Sequence, residues 1–235
     1  MIRYVLIFSV LVGFLSCEKD GLDPTSNSGS DPHTNSTDSL NNTTHTTDTM
    51  YSDRGQYAPF GYGSSWTYRR VYIHHDCIID SNGTIGTVYD TSFYTHTFLV
   101  DTIIDDKEYV QIGEDWIRVK EGVYYWLFEG DQDVKYLDEQ ATVGSSWQTT
   151  VTPIQAGAPG DLYYSYSVND THSNQTVLAG SFSGVLEMAC GHGIEGQSAV
   201  YHTRYYKEGI GLIKLVRPMI NSSETIELMS YQILP

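Results

Sequence analysis

Three cysteines and thirteen lysines and arginines are all that 235 residues contain of either kind. With only Cys17, Cys77 and Cys190, a disulfide-dense scaffold is excluded. Against 29 acidic residues the basic shortfall gives a formal net charge of −16. That balance argues against nucleic acid, whose binding needs cations to neutralise phosphates. It equally disfavours peripheral attachment to anionic lipid headgroups. Beyond the first residues no window holds a 3.6-residue apolar period, which excludes a helical bundle. A Gly-x-Ser-x-Gly elbow, a His-Glu-x-x-His pair and a phosphate-cradling loop are all missing, so the commonest hydrolase and nucleotide-binding signatures are not there.

What is present begins with a leader. Arg3 precedes an apolar run from Tyr4 to Leu15, which falls short of the roughly 20 residues a membrane-spanning helix needs. Its length suits a signal-peptide core over residues 1–16. The run ends in Phe14-Leu15-Ser16-Cys17, which resembles a bacterial lipobox, with Phe14 standing where leucine is usual. The resemblance implies that Cys17 is acylated after cleavage, and several acyl chains hold a membrane far better than one. Glu18-Lys19-Asp20 resembles the signals that send Bacteroidetes lipoproteins to the outer face of the outer membrane, with a periplasm-facing anchor as the alternative. Residues 18–50 hold 26 Ser, Thr, Asn, Asp, Gly or Pro in 33 positions, too polar to offset the entropy of ordering. Residues 17–50 therefore read as a tether, reaching roughly 30 Å as a flexible coil.

From residue 51 the texture changes: 18 of the 19 tyrosines and all four tryptophans lie between there and Pro235. Period-two alternation predicts strands over 66–73, 93–104, 108–112, 115–120, 123–128, 147–151, 162–168, 199–206, 211–216 and 225–233. Val185–Ala189 reads as a helical turn or a strand. Turn signals at Ser81-Asn82-Gly83, Asp105-Asp106, Glu121-Gly122 and Ala158-Pro159-Gly160 separate the strands. The fold class is all-β: an antiparallel sandwich or a strongly curved, partly closed barrel of about ten to twelve strands. One tetrapeptide recurs, Gly63-Ser64-Ser65-Trp66 returning as Gly144-Ser145-Ser146-Trp147, each before a strand.

Tyr57-Ala58-Pro59-Phe60 leading to Gly63-Ser64-Ser65-Trp66-Thr67-Tyr68 resembles the opening of a group of β-rich Bacteroidetes lipoproteins of unassigned function. Gly180-Ser181-Phe182 and Tyr205-Tyr206-Lys207-Glu208-Gly209-Ile210-Gly211-Leu212-Ile213 are similar to two later landmarks of that group. The resemblance spans most of residues 57–233. It implies a fold and an envelope location, and carries no catalytic residues.

Candidate chemistry is sparse. In an exported compartment Cys77 and Cys190 would pair as a disulfide, closing a long loop and stabilising by roughly 4–5 kcal/mol. Two unpaired thiols are one alternative, and a zinc site of His74, Cys77, Cys190 and His192 is the other. Asp131, Asp133, Asp138 and Glu139 read as a solvated acidic turn, with calcium the sharper alternative. Gly191-His192-Gly193-Ile194-Glu195-Gly196 reads as a mobile hairpin connection, although His192 and Glu195 would suit acid–base work. The aromatic pairs Tyr124, Tyr125 and Trp126, Tyr163 and Tyr164, and Tyr205 and Tyr206 place neighbours on opposite strand faces, so one ring of each would face outward for recognition, the alternative being plain cross-strand packing. The expectation is a non-catalytic binding or interaction module, without cofactor, held to the membrane by its lipid. Its partner would be a glycan or another envelope protein. A carrier with an apolar groove for lipid or lipidated clients, and a hydrolase with an unrecognised site, are the rival readings.

Overall fold

The computed structural model describes residues 55–58, 61–154, 160–195, 197 and 199–234. The signal peptide, Cys17 and the tether lie outside the described residues. Twelve strands follow one another: β1 (Ser65–Ile78), β2 (Ile85–Ile104), β3 (Lys107–Ile112), β4 (Asp115–Lys120), β5 (Val123–Phe128), β6 (Gln132–Asp138), β7 (Ser146–Val151), β8 (Leu162–Val177), β9 (Gly180–Ile194), β10 (Val200–Lys207), β11 (Gly211–Met219) and β12 (Ser222–Gln232). A short 3-10 turn, Glu129–Asp131, joins β5 to β6. All strands form one antiparallel sheet in the order β6-β5-β4-β3-β2-β1-β12-β11-β10-β9-β8-β7. Two six-stranded meanders are therefore joined edge to edge by β1 and β12, and the sheet curls into a nearly closed barrel. The barrel is realised and the sandwich is not.

Hairpin chemistry explains the meanders. Asp105 and Asp106 both have positive φ (48° and 60°), as do Glu121 and Gly122 (53° and 74°), giving the two-residue turns whose twist matches antiparallel strands. In the β1–β2 turn the Asp80 carboxylate accepts from the Asn82 and Thr84 amides at 2.9 and 3.0 Å.

The repeated tetrapeptides occupy equivalent places, each opening the first strand of a meander. Gly63 and Gly144 have φ of 87° and 88°, a region that favours glycine. The Phe98 amide donates to Ser64 O at 2.9 Å, and the Val168 amide to Ser145 O at 2.9 Å. Each indole N–H then caps a backbone carbonyl: Trp66 Nε1 donates to Ile210 O at 2.7 Å, and Trp147 Nε1 to Lys135 O at 3.1 Å.

The outermost strands β6 and β7 meet without a backbone ladder, and side chains stitch the seam. Besides the Trp147 bond, Gln132 Nε2 donates to Thr152 O at 2.8 Å and the Thr152 amide donates back to Gln132 Oε1 at 2.9 Å. The Lys135 ammonium lies 4.8 Å from the Trp147 ring centre.

Strand direction defines two ends. Residues 55–58 cover the end where β1 and β7 begin. There Gly209 N donates to Gln56 O at 2.7 Å, Tyr57 N donates to Tyr124 Oη at 2.8 Å, and Ala58 is buried. The core cluster, with Trp66, Tyr68, Tyr124, Leu137, Tyr206 and Leu228, gathers towards this end. Removing the seam stitch by Gln132→Ala should cost about 1–2 kcal/mol, a fall in melting temperature of roughly 2–8 °C. Amide exchange should speed up in β6 and β7 and not in β1 and β12, which hydrogen–deuterium exchange would read.

Candidate functional site

Register decides which side chains point inward, and their burial changes along the barrel. On β1, Trp66 and Tyr68 are buried while Arg70, Tyr72 and His74 are half-buried. On β2, Phe98 is buried, His96 and Tyr94 are half-buried, and Ser92 and Asp90 are exposed. On β9, Met188 and Cys190 are buried and His192 is half-buried; on β8, Val168 and Tyr166 are buried and Tyr164 is half-buried. Exposure of these inward side chains thus rises from the end where the chain enters towards the other, the mouth of a cup, although Glu224 on β12 stays fully buried there.

The lining of the cup is polar and aromatic. Glu224, fully buried, is held between Arg70 Nε at 3.0 Å and Arg217 Nη1 at 2.8 Å. Removing one guanidinium would leave the carboxylate a single partner, and removing both would strand it, the kind of loss that costs about 3–5 kcal/mol. Tyr72 sits beside this group, its hydroxyl pKa raised by burial and by Glu224. Across the mouth Trp126 meets Tyr164 edge-on at 5.1 Å, and Tyr164 stacks on His192 at 6.2 Å.

Deeper, Arg204 projects from β10. Its Nε donates to His202 Nε2 at 3.0 Å, and its Nη1 reaches the Tyr206 hydroxyl at 3.4 Å. Among the described residues no carboxylate comes within the 4.0 Å of an ion pair with it. Asp115 on β4 is an acid that feels Arg204; burial raises its carboxyl, and His96 and Arg204 pull it back. Arg204 Nη2 makes no hydrogen bond to a described residue. Because Nε2 of His202 accepts from a guanidinium, the proton of the neutral ring sits on Nδ1. That Nδ1 is buried and has no hydrogen-bond partner, a deficit of about 1–3 kcal/mol.

The electrostatics argue against nucleophilic catalysis. Cys190 and His202 are direct cross-strand neighbours, the arrangement of a thiol and its base. Burial pushes the Cys190 thiol up to about 11, however, and burial with the charges of Arg204 and Arg217 lowers His202 to about 2. Both shifts favour the neutral pair, whereas an activated thiolate needs a depressed thiol pKa. His192, lowered by burial and by Arg217 and Arg204, faces the interior, while Glu195 lies in the turn beyond β9.

Several expected sites are not assembled. Cys190 is a free, buried thiol, so it forms no disulfide with Cys77. Cys77 is on β1 and Cys190 on β9, four strand spacings apart, about 19 Å along the sheet. The same separation keeps His74 and Cys77 from Cys190 and His192, and no metal-binding group forms among the described residues. The acidic cluster is not one turn: Asp131 ends the 3-10 turn and Glu139 lies in the turn after β6, but Asp133 and Asp138 belong to β6. Asp133 lies on the outer face with Lys107 Nζ at 3.0 Å and Tyr109 Oη at 2.5 Å, and Asp138 pairs with Lys135 at 2.7 Å. Burial pushes the Asp133 carboxyl up, but the bonds from Tyr109, Lys107 and Arg118 hold it below the usual range. Residues 191–194 belong to β9, not to a mobile connection. The Tyr201 ring lies over Gly191, and the Tyr163 ring over Gly193, where a Cβ would meet ring atoms at 3.0 to 3.2 Å.

The aromatic pairs do split between faces. Tyr124, Trp126, Tyr164 and Tyr206 turn inward; Tyr125, Tyr163 and Tyr205 turn outward. The outward three sit on β5, β8 and β10 and form no continuous strip. Tyr125 is covered by the Arg118 guanidinium, 4.5 Å from its ring centre. Arg204 and His202, the centre of the site, were passed over by sequence reasoning, because tyrosines occupy both faces of Val200–Lys207 and hide the alternation.

The neutral state of His202 has a pH signature. Below pH 6.5 the unfolded chain takes up a proton that folded His202 refuses, so stability falls as pH falls from 6.5 towards about 2. Between pH 7 and pH 5 this one group should cost about 2 kcal/mol. Urea unfolding of His202→Asn should show a loss over that interval smaller by about that amount; an undiminished loss would contradict the assignment.

No protein-family model matches the chain, and no curated protein matches it. Among solved structures, a candidate exported protein of Bacteroides fragilis with a YmcC-like fold aligns over 76% of this chain and 99% of its own, with a TM-score of 0.43 and 11% identity. A candidate lipoprotein of Parabacteroides distasonis aligns over 77% of this chain and 100% of its own, with a TM-score of 0.44 and 11% identity. At such scores and identities neither likeness carries a functional argument.

Proposed function

We propose that the protein is an envelope lipoprotein, acylated at Cys17 and attached to the outer membrane, whose domain is a non-catalytic binding cup. The observation that carries the binding reading is the gradient of inward-facing side chains, sealed at one end and open at the other. Residues 55–58 lie at the sealed end, so the tether joins the domain there and the mouth is on the side away from it. On a tether of roughly 30 Å, such a domain meets its ligand from the surroundings, which fits display at the cell surface.

The ligand enters the mouth instead of docking on outward tyrosines. A sugar or another small molecule with a flat face would lie against Trp126 and Tyr164, and polar groups along the wall would orient it. A lipid carrier fits less well. Its acyl chain would have to displace water from Arg70, Arg204 and Arg217 without satisfying them, a desolvation cost of several kcal/mol.

Two outcomes are expected. Cys17→Ser should release the protein from the membrane fraction; continued sedimentation with membranes would contradict the anchor. On a glycan array, Trp126→Leu or Tyr164→Leu should weaken binding tenfold or more, while Tyr163→Ala and Tyr205→Ala on the outer face leave it unchanged. The reverse pattern would put the ligand outside the barrel.

A further inference from the structure

Four adjacent strands, β1, β12, β11 and β10, place Arg70, Glu224, Arg217 and Arg204 on one stretch of inner wall. Glu224 stands directly across from Arg217, and Arg204 lies diagonal to Arg217 on the next strand. Arg70 reaches Glu224 from β1, where Tyr72 is the direct cross-strand partner. The carboxylate is fully buried, whereas the Arg70 and Arg217 side chains keep 40% and 25% of their surface exposed. One buried acid therefore holds two guanidiniums that remain open to solvent. Among the described residues neither has a second acid as an ion-pair partner, and Arg204 has none at all. Resting on the cup reading above, we propose that Arg70, Arg217 and Arg204 recognise the oxyanion of an acidic sugar, with Glu224 as the positioning residue.

Charge and shape both point this way. Glu224 neutralises one of the three cations, and two other inward acids do little to offset the rest. Asp90, across from Tyr72 on β2, is exposed and makes no ion pair with a described residue, and burial raises the Asp115 carboxyl. The charges of Arg204 and Arg217 both bear on the His192 and His202 rings, so the two guanidiniums surround the same part of the wall. Arg70 lies 5.6 Å from the ring centres of both Tyr72 and Tyr94, and stacking on aromatic faces fixes its plane before a ligand arrives. A planar guanidinium pairs bidentately with the oxygens of a carboxylate, a sulfate ester or a phosphate ester. The same two tyrosine rings, half-buried beside the cations, suit the body of a sugar. The chain carries −16 overall, so this wall stands out against a surface that repels anions.

Isothermal titration calorimetry of the full chain in nanodiscs of zwitterionic lipid tests this with four probes: galactose, galacturonate, galactose 6-sulfate and galactose 6-phosphate. At least one of the three acids should bind roughly tenfold or more tightly than galactose, and which one does names the anion. Arg70→Gln and Arg204→Gln should each remove most of that preference, and Lys120→Gln, an equal change of charge at the exposed end of β4, should not. Arg204→Gln leaves both partners of Glu224 in place, so it keeps the test open should Arg70→Gln fail to fold. Glu224→Gln removes a negative charge, yet should weaken the acids and not galactose, because the guanidiniums lose their anchor; tighter acid binding would contradict the positioning role. Galactose bound as tightly as the acids, or a preference untouched by either arginine variant, overturns the inference and leaves the cup standing. No saturable heat from any of the four removes both.

Discussion

The pairing of β1 with β12 is the constraint on which the rest of the molecule depends. Ser65–His74 run antiparallel to Ser222–Gln232, so the first and last strands of the domain share one ladder. Without it the chain would be two separate six-stranded meanders, each with a bare edge along its whole length. With it, only β6 and β7 remain as edges, and a few side-chain bonds bring them together. The ladder also sets the chemistry, because its register lays Arg70 and Tyr72 beside Glu224 inside the barrel. A slip of one residue would turn all three outward.

A sheet that curls on itself must fill its interior, and this one does so unevenly. Near the chain's point of arrival, tryptophan and tyrosine side chains close the barrel, and their N–H and O–H groups find carbonyls: Trp66 on Ile210, Tyr68 on Leu212. Toward the mouth the inward positions change to arginine, histidine and glutamate. The sequence has seven arginines, and three of them, Arg70, Arg204 and Arg217, point inward in a chain that is strongly acidic overall. Burying a cation is expensive, and a fold under selection for stability alone would have placed apolar residues at position 204. Under the proposed binding role, the Arg204 guanidinium, without an ion pair among the described residues, is a cost retained for the ligand.

The strands were legible wherever one face was apolar. Period-two alternation marks β1, β3, β4, β5, β7 and β11, and the doubled turn residues Asp105-Asp106 and Glu121-Gly122 fall where the hairpins turn. β6 was hidden because Asp131, Asp133 and Asp138 resemble a solvated turn; on the outer face Asp133 meets Lys107 and Arg118, and Asp138 meets Lys135, from positions no local pattern reveals. The end of β9 was hidden by Gly191 and Gly193, which read as a loop until cross-strand tyrosines are seen to cover them. Pairings distant in the sheet order were beyond the sequence altogether: nothing in the spacing of Cys77 and Cys190 tells that four strand spacings separate them. Arg204 belongs to the same class, since its meaning lies in which neighbours it lacks.

The central claim, an open cup with an unmatched positive charge at its floor, is tested most directly by a crystal structure from bromide-soaked crystals. An anomalous peak against the Arg204 guanidinium, reached through the mouth, is the predicted result. An interior packed solid around Arg204, with bromide bound only on the outer surface, would contradict the account.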